Sequence, residues 1–281
     1  MKIVAPKRQA VRAIPISAAI QAWYYDQLRC LLESMASSMQ LHIAAAWKAN
    51  TPGFGLAQDA SSPVKLKRTM SKWGSQWISK FDAMSTEIAR KFADKSQRHV
   101  ANSNAAIFRA AGFTVKFQPT KAAKEAYKAT IAQNVGLIRN LPQAYYNGIR
   151  NDVWESVMKG SDLDALNKSL RKRYRMTLRR AALISRDQNA KARSLMENIQ
   201  HRELGITQAL WQHSHAVREP RPSHLAFDGK IYDLKKGAFL DGVWTWPGVE
   251  INCRCSSRPI IPGFNDQEIA QAKRRAVSSA A

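Results

Sequence analysis

The stretch GITQALWQHSHAVREPRPSHLAFDGKIYDLKKG, Gly205 to Gly237, decides the fold class, because the chain changes character within it. Upstream, apolar residues recur every three or four positions; from Gly205 onward Gly, Pro and aromatic residues are dense and short runs alternate. A period near 3.6 marks an amphipathic helix, and a period of two marks a strand with one buried face. ALWQHSH, Ala209 to His215, reads as a strand with Trp211, His213 and His215 on one face. PRPSH, Pro220 to His224, is a turn into a brief helical segment, and Asp228-Gly229 is a hairpin turn signal ahead of KIYDL. VEINCRC, Val249 to Cys255, alternates again, so Val249, Ile251, Cys253 and Cys255 share one face of an expected strand.

Working back from Gly205, the helical pattern is nearly continuous. Ser17 to Ala49 has no internal Pro or Gly and keeps Leu28, Leu31, Leu32, Met35 and Met39 at helical spacing. Cys30 lies within this helix and is expected to be a small buried hydrophobe. Thr51 to Pro63 concentrates Pro, Gly and Ser and breaks the helix. From about 65 to 110, Trp73, Trp77, Phe81, Met84, Ile88 and Phe92 define one apolar face, better suited to the core than to stacking bases. GFTVKFQP, Gly112 to Pro119, is a short strand or extended connector; helices follow over Lys121–Leu141 and Pro142–Lys159, the second opening on its proline. Ser161 offers an N-cap for a further helix, with Asp162 and Asp164 in its first turn. The expected class is therefore α+β: a helical region over 1–204, an α+β module of short antiparallel strands over 205–262 with a helical lead-in from about 176, and a basic tail over 263–281.

Composition narrows the partners. A hydrophobic fraction of 45% and a charged fraction of 23% are those of a folded globular chain. Forty-four Lys and Arg against 21 Asp and Glu give a net charge of +23, which makes a large polyanion, above all nucleic acid, the expected partner. A membrane is not expected, since no apolar run reaches the roughly 20 residues that a spanning helix needs. The N-terminal stretch, interrupted by Pro6 and Pro15, does not read as a signal peptide. Three cysteines make no disulfide framework, so a reducing cytoplasm is the expected place of folding.

The charge has a focus. In the helix after Ser161, Leu163, Leu166, Leu170 and Tyr174 trace an apolar stripe, while Lys168, Arg171, Lys172, Arg175, Arg179 and Arg180 cover other faces. Arg171, Arg175 and Arg179 are four residues apart and so project as one ridge. Such a ridge can track phosphates, and its like charges repel unless something neutralises them; a solvated face is the alternative.

Three elements then cluster: WQHSHAVREPRPSH, FDGKIYDLKKG, and WPGVEINCRC followed by RPIIP. Arg221, Ser223 and His224, the Asp228-Gly229 turn, Pro247-Gly248, and Asn252-Cys253-Arg254-Cys255, with the lead-in RRAALISRDQNAKARSL, resemble the conserved module of the phage Mu protein F-like family of head-morphogenesis (minor capsid) proteins. The resemblance covers about 90 residues of the last third, and the first 160 carry no such motif. It implies a structural component of a tailed-phage head near the portal, with the portal and other head proteins as partners. Charge adds nonspecific contact with packaged double-stranded DNA. The virion would be the final location and the host cytoplasm the place of assembly.

The same residues pose a metal question. His224, Cys253, Cys255 and either His215 or His213 are ligand types that suit a structural zinc. On a regular strand, however, side chains two residues apart lie about 6.6–7 Å from each other, whereas two sulfurs on one zinc need about 3.8 Å, so the strand would have to kink. The alternative is that the cysteines pack in the core. No GxxxxGK loop, HExxH pair or GxSxG elbow is present, so an enzyme is not expected. The competing reading is a virion-carried nuclease or transferase-like effector. It would need His224 with a cysteine as base and thiolate, or Asp228, Asp233, Asp241 and Glu250 around a divalent ion.

Overall fold

The computed structural model describes residues 11–49, 61–117, 120–158, 163–214, 219–261, 264 and 270, and of residues 61–64 the backbone alone. Four long helices come first: α1 (Ala18–Ala49), α2 (Ser61–Ala110), α3 (Lys121–Met158) and α4 (Leu163–Glu203). Short elements follow, β1 (Gln208–Gln212), α5 (Pro222–Ala226), β2 (Ile231–Asp233), β3 (Ala238–Leu240), β4 (Val243–Thr245) and β5 (Ser256–Pro259). This is the α+β arrangement expected, mainly helical with a small C-terminal set of antiparallel strands.

The chain forms two compact units that are not successive in sequence. One holds Met1–Gln21, Phe92–Thr130 and Arg186–Ala281; the other holds Ala22–Lys91 and Ile131–Ser185. The C-terminal module therefore shares its unit with stretches of all four long helices, rather than beginning afresh after residue 204.

In the second unit, Tyr24, Leu28, Leu32, Met35, Met39 and Ile43 of α1 are buried, as are Phe81, Ile138, Leu141, Tyr145, Ile149, Val153, Leu166 and Leu170. Tyr24 Oη donates to Asn134 Oδ1 at 2.8 Å within this core. Cys30 is exposed, contrary to the expectation of a core residue. It lies two residues, about 200° of helical rotation, beyond buried Leu28, which turns it to the opposite face. The aromatic stripe is core-facing in its second half, with Phe81, Ile88 and Phe92 buried. Nearer the start of α2, Trp73 is half-buried and stacks on His42 with centroids 3.5 Å apart.

Two expected boundaries move. The break expected as far as Pro63 ends earlier, because α2 begins at Ser61 and places Pro63 in its first turn, where a missing N–H costs nothing; residues 50–60 lie outside the described set. The two helices expected on either side of Pro142 are one, with the proline inside α3. An interior proline costs about 3 kcal/mol, yet Ile138, Leu141, Pro142, Tyr145 and Ile149 are all buried, and packing of that face outweighs the local loss. Ser161 and Asp162 lie outside the described residues, while Asp164 stands in the first turn of α4 as expected.

The first unit is built on a three-stranded antiparallel sheet of order β2-β1-β5, beside the β3-β4 hairpin. Trp211, Tyr232, Leu234, Ala238, Leu240, Cys253 and Cys255 form its core with Phe108 of α2, and Phe113, Val115 and Phe117 of the extended connector pack against them. Of the strand expected over Ala209–His215, the described part runs from Gln208 to Gln212, and His215 lies outside the described residues. β2 returns to β1 only after α5, so Asp228-Gly229 is a turn before β2 and not the tip of a two-residue hairpin. The expected basic tail lies outside the described residues apart from Phe264 and Ala270.

The second half of α4 crosses this unit with a polar face inward. Asn189, Arg193, Glu197, Gln200 and His201 are all buried. Asn189 Nδ2 donates to Ser17 O at 2.8 Å, Asn198 Nδ2 to Leu234 O at 2.8 Å, and Asn104 Nδ2 to Gln200 Oε1 at 2.7 Å. His201 Nε2 lies 3.1 Å from Asn104 Oδ1. Burial, aided by the Arg193 charge, lowers the His201 pKa to about 3, so the ring is neutral in the fold. Because the unfolded chain protonates this histidine below about pH 6.5 and the fold does not, its contribution is present above that pH and lost by about 1.4 kcal/mol per unit as pH falls towards 3. His201→Gln should therefore be less stable than the parent at pH 8, with the gap closing by pH 4.5. Urea midpoints at the two pH values check this; a constant gap would sink it.

Candidate functional site

The basic ridge belongs to the second unit. Lys168, Arg171, Lys172, Arg175, Arg179 and Arg180 are all exposed. Five of them border, with Met176, an open concavity of about 610 Å³. Arg180 is partly engaged, its Nη2 donating to Asn140 Oδ1 at 2.8 Å. Arg173, from the same run, turns away and grips Asp152 with two hydrogen bonds of 3.1 and 2.6 Å. Gly148 makes that possible, since a Cβ there would stand 2.6 Å from Arg173 Cδ. The residues left facing solvent are thus those that the spacing selected.

The motif residues of the first unit converge around the loop between β4 and β5. The strand expected over Val249–Cys255 does not form: Thr245 ends β4, turns occupy the following residues, and β5 starts at Ser256. Asn252 has φ 62°, a left-handed conformation that asparagine tolerates and a strand does not. Ile251 is consequently 56% exposed, whereas Cys253 and Cys255 are both buried. The lead-in helix holds the bend from below: Asp187 Oδ1 accepts from the Asn252 amide at 2.9 Å, and Arg186 Nη2 donates to Asn252 Oδ1 at 3.0 Å.

The bend brings both cysteines to His224, with its Nδ1 3.5 Å from Cys253 Sγ and 3.8 Å from Cys255 Sγ. His224 itself is placed by α5 and by the edge of Trp211, ring centroids 5.1 Å apart. The Gly248 amide donates to Cys253 Sγ at 3.3 Å. Hydrogen bonding from the Cys255 thiol lowers the Cys253 pKa, and the same bond together with burial raises that of Cys255. Arg221 pairs with Glu250 and donates to Ile251 O at 3.2 Å. Ser223 Oγ donates to Asp241 Oδ2 at 2.6 Å, and Asp228 Oδ1 accepts from the His213 amide at 2.8 Å. Asp233 accepts from the Lys235 and Lys236 amides. The four acidic residues that could have held a divalent ion are therefore each engaged locally, and among the described residues no ligand group includes them.

Arg193 and Glu197 carry no signal in the sequence that marks them as interior. Arg193 is 2% exposed; its Nη1 donates to Glu197 Oε2 at 2.8 Å and to Ile14 O at 3.3 Å, and its Nη2 donates to Cys255 O at 2.8 Å. Burial raises the Glu197 pKa to about 7 against the lowering by Arg193. In sequence the two are an ordinary i,i+4 pair, which on most helices faces water. Only the polar density of SRDQNAKARS hints otherwise.

Gly248 and Arg193 explain each other. A Cβ on Gly248 would lie 2.9 Å from Arg193 Nη2, and the backbone there has φ 86°. Gly242 has a similar φ of 82° but open space around it. Gly248→Ala should therefore destabilise by about 1–3 kcal/mol for the backbone strain and more for the displaced guanidinium, exceeding Gly242→Ala. Thermal melts of both variants check this, and equal losses would mean that Arg193 has room to move.

These interactions account for nearly every position of the sequence motif, and the comparison with known families covers the same stretch. Residues 147–258 match the family described as Phage Mu protein F like protein. This stretch is similar to that family. The Mu F-like region thus includes the end of α3, all of α4 with the basic ridge, and the module as far as Arg258. A protein of Haemophilus influenzae, itself described only as an uncharacterized protein, is 25% identical over 280 residues, or 94% of this chain. The chain spans 59% of that relative's length. No solved structure matches. Arg254, a further motif residue of the Mu F-like region, joins Arg12 and Arg258 around a concavity of about 610 Å³.

Proposed function

We propose that this chain is a minor component of a tailed-phage head, acting in head morphogenesis near the portal and touching packaged double-stranded DNA without sequence preference. The Mu F-like region carries the first part of this reading. Its motif residues support a structural role, since Arg221, Ser223, Asp228, Gly248 and Asn252 hold loops together. The net charge of +23 and the exposed ridge on α4 support the DNA contact. Among the described residues no helix is long and apolar enough to cross a membrane.

The direct test is to delete the gene in an inducible prophage and examine the particles. Head defects in the deletion, together with this chain in the wild-type virions by mass spectrometry and cross-links to the portal protein, are the expected results. Normal heads from the deletion and absence of the chain from purified virions would overturn the assembly role.

A further inference from the structure

We propose that His224 Nδ1 and the sulfurs of Cys253 and Cys255 form a three-ligand site for a thiophilic, tetrahedral divalent cation, zinc being the chemical fit. The three ligand atoms lie within 4.8 Å of one another, and all three residues are buried. Zinc–sulfur and zinc–nitrogen bonds of about 2.3 and 2.0 Å at a tetrahedral angle put ligand nitrogen and sulfur roughly 3.5–3.6 Å apart. The two sulfurs stand 3.5 and 3.8 Å from His224 Nδ1. The left-handed Asn252 supplies the departure from a flat strand without which a Cys-x-Cys pair cannot close on one ion.

The surroundings are those of a ligand set as well. Metal-bound imidazoles ordinarily present their other nitrogen to a carboxylate. His224 Nε2 faces Glu250 Oε1 at 3.7 Å, and both atoms are buried with no hydrogen-bond partner among the described residues. The Gly248 amide donates to Cys253 Sγ at 3.3 Å, the kind of contact that orients a metal-bound sulfur. A cavity of about 220 Å³ with His213 and Glu219 in its wall adjoins the three residues and gives the fourth coordination position to water or one of these side chains. Ion binding displaces the thiol protons to solvent and forms two metal–sulfur bonds, with no oxidant required. This site does not depend on the assembly reading, and either can fail without the other.

The test uses the full chain, expressed without a polyhistidine tag and purified without chelator. Elemental analysis should find one zinc per chain, retained by Cys30→Ser, whose thiol is exposed and lies in the other unit, and lost from His224→Ala, Cys253→Ser and Cys255→Ser. Should these variants fail to fold, cobalt substitution of the Cys30→Ser chain decides: a thiolate-to-cobalt charge-transfer band with the strong visible bands of a tetrahedral centre is expected. Glu250→Gln removes no ligand and should weaken retention against a competing chelator by about 10–100-fold. A zinc-loaded chain that elutes from gel filtration without metal, or a cobalt spectrum lacking the thiolate band, overturns the proposal. Selective alkylation of Cys253 in such a metal-free chain would point instead to a reactive thiol paired with His224.

Discussion

Arg193→Met is expected to cost the fold about 3–5 kcal/mol, more than any other single substitution proposed for this chain. The guanidinium ties three separated parts of its unit together, the N-terminal segment at Ile14, helix α4 at Glu197 and the Cys255 carbonyl. Its removal leaves Glu197, 1% exposed, without its charged partner and leaves the Cys255 carbonyl without its donor. The penalty comes from isolated buried groups rather than from the intrinsic strength of an ion pair, because burying both charges is itself expensive. Arg193→Met combined with Glu197→Leu should therefore recover much of the loss. Urea unfolding of the single and double variants separates the two explanations. A double variant as unstable as the single one would show that the charge pairing is not the source.

The second large effect concerns DNA. Reversing Arg171, Arg175 and Arg179 to glutamate should lower affinity for duplex DNA by ~500-fold at 0.1 M salt and flatten the slope of log affinity against log salt by about 2.7, at 0.9 for each phosphate that the ridge no longer neutralises. All three side chains are exposed, and at i,i+4 spacing they repel one another, so the substitutions should leave the fold intact. Lys235 and Lys236, exposed on the other unit, supply a control of equal sign whose reversal should change the slope less. Fluorescence anisotropy over a salt series reads the slope directly. An unchanged slope in a folded triple variant would move the phosphate contact off α4, with the concavity of Arg12, Arg254 and Arg258 the next surface to test.

Amino-acid order alone was enough for a good part of this. Apolar spacing placed α1, α2 and α4 within a few residues, and the four-residue spacing of the arginines selected the exposed ridge, because helical phase depends only on local geometry. The motif from Arg221 to Cys255 carries the likeness to the Mu F-like family, whose match spans residues 147–258. Long-range packing decided the rest. Whether Pro142 ends a helix depends on what the flanking face buries, and here Ile138, Leu141 and Tyr145 keep α3 whole. Alternation made Val249–Cys255 look like a strand, but Asp187 and Arg186, some 65 residues away, hold Asn252 in the conformation that bends it. An i,i+4 Arg–Glu pair on most helices faces water, but Arg193 and Glu197 stand on the face that α4 turns inward, where the Ile14 and Cys255 carbonyls meet the guanidinium. Periodicity reports which face of an element is buried only when that face is apolar; where α4 turns polar side chains inward and where the chain bends at Asn252, the answer lies in partners distant in sequence.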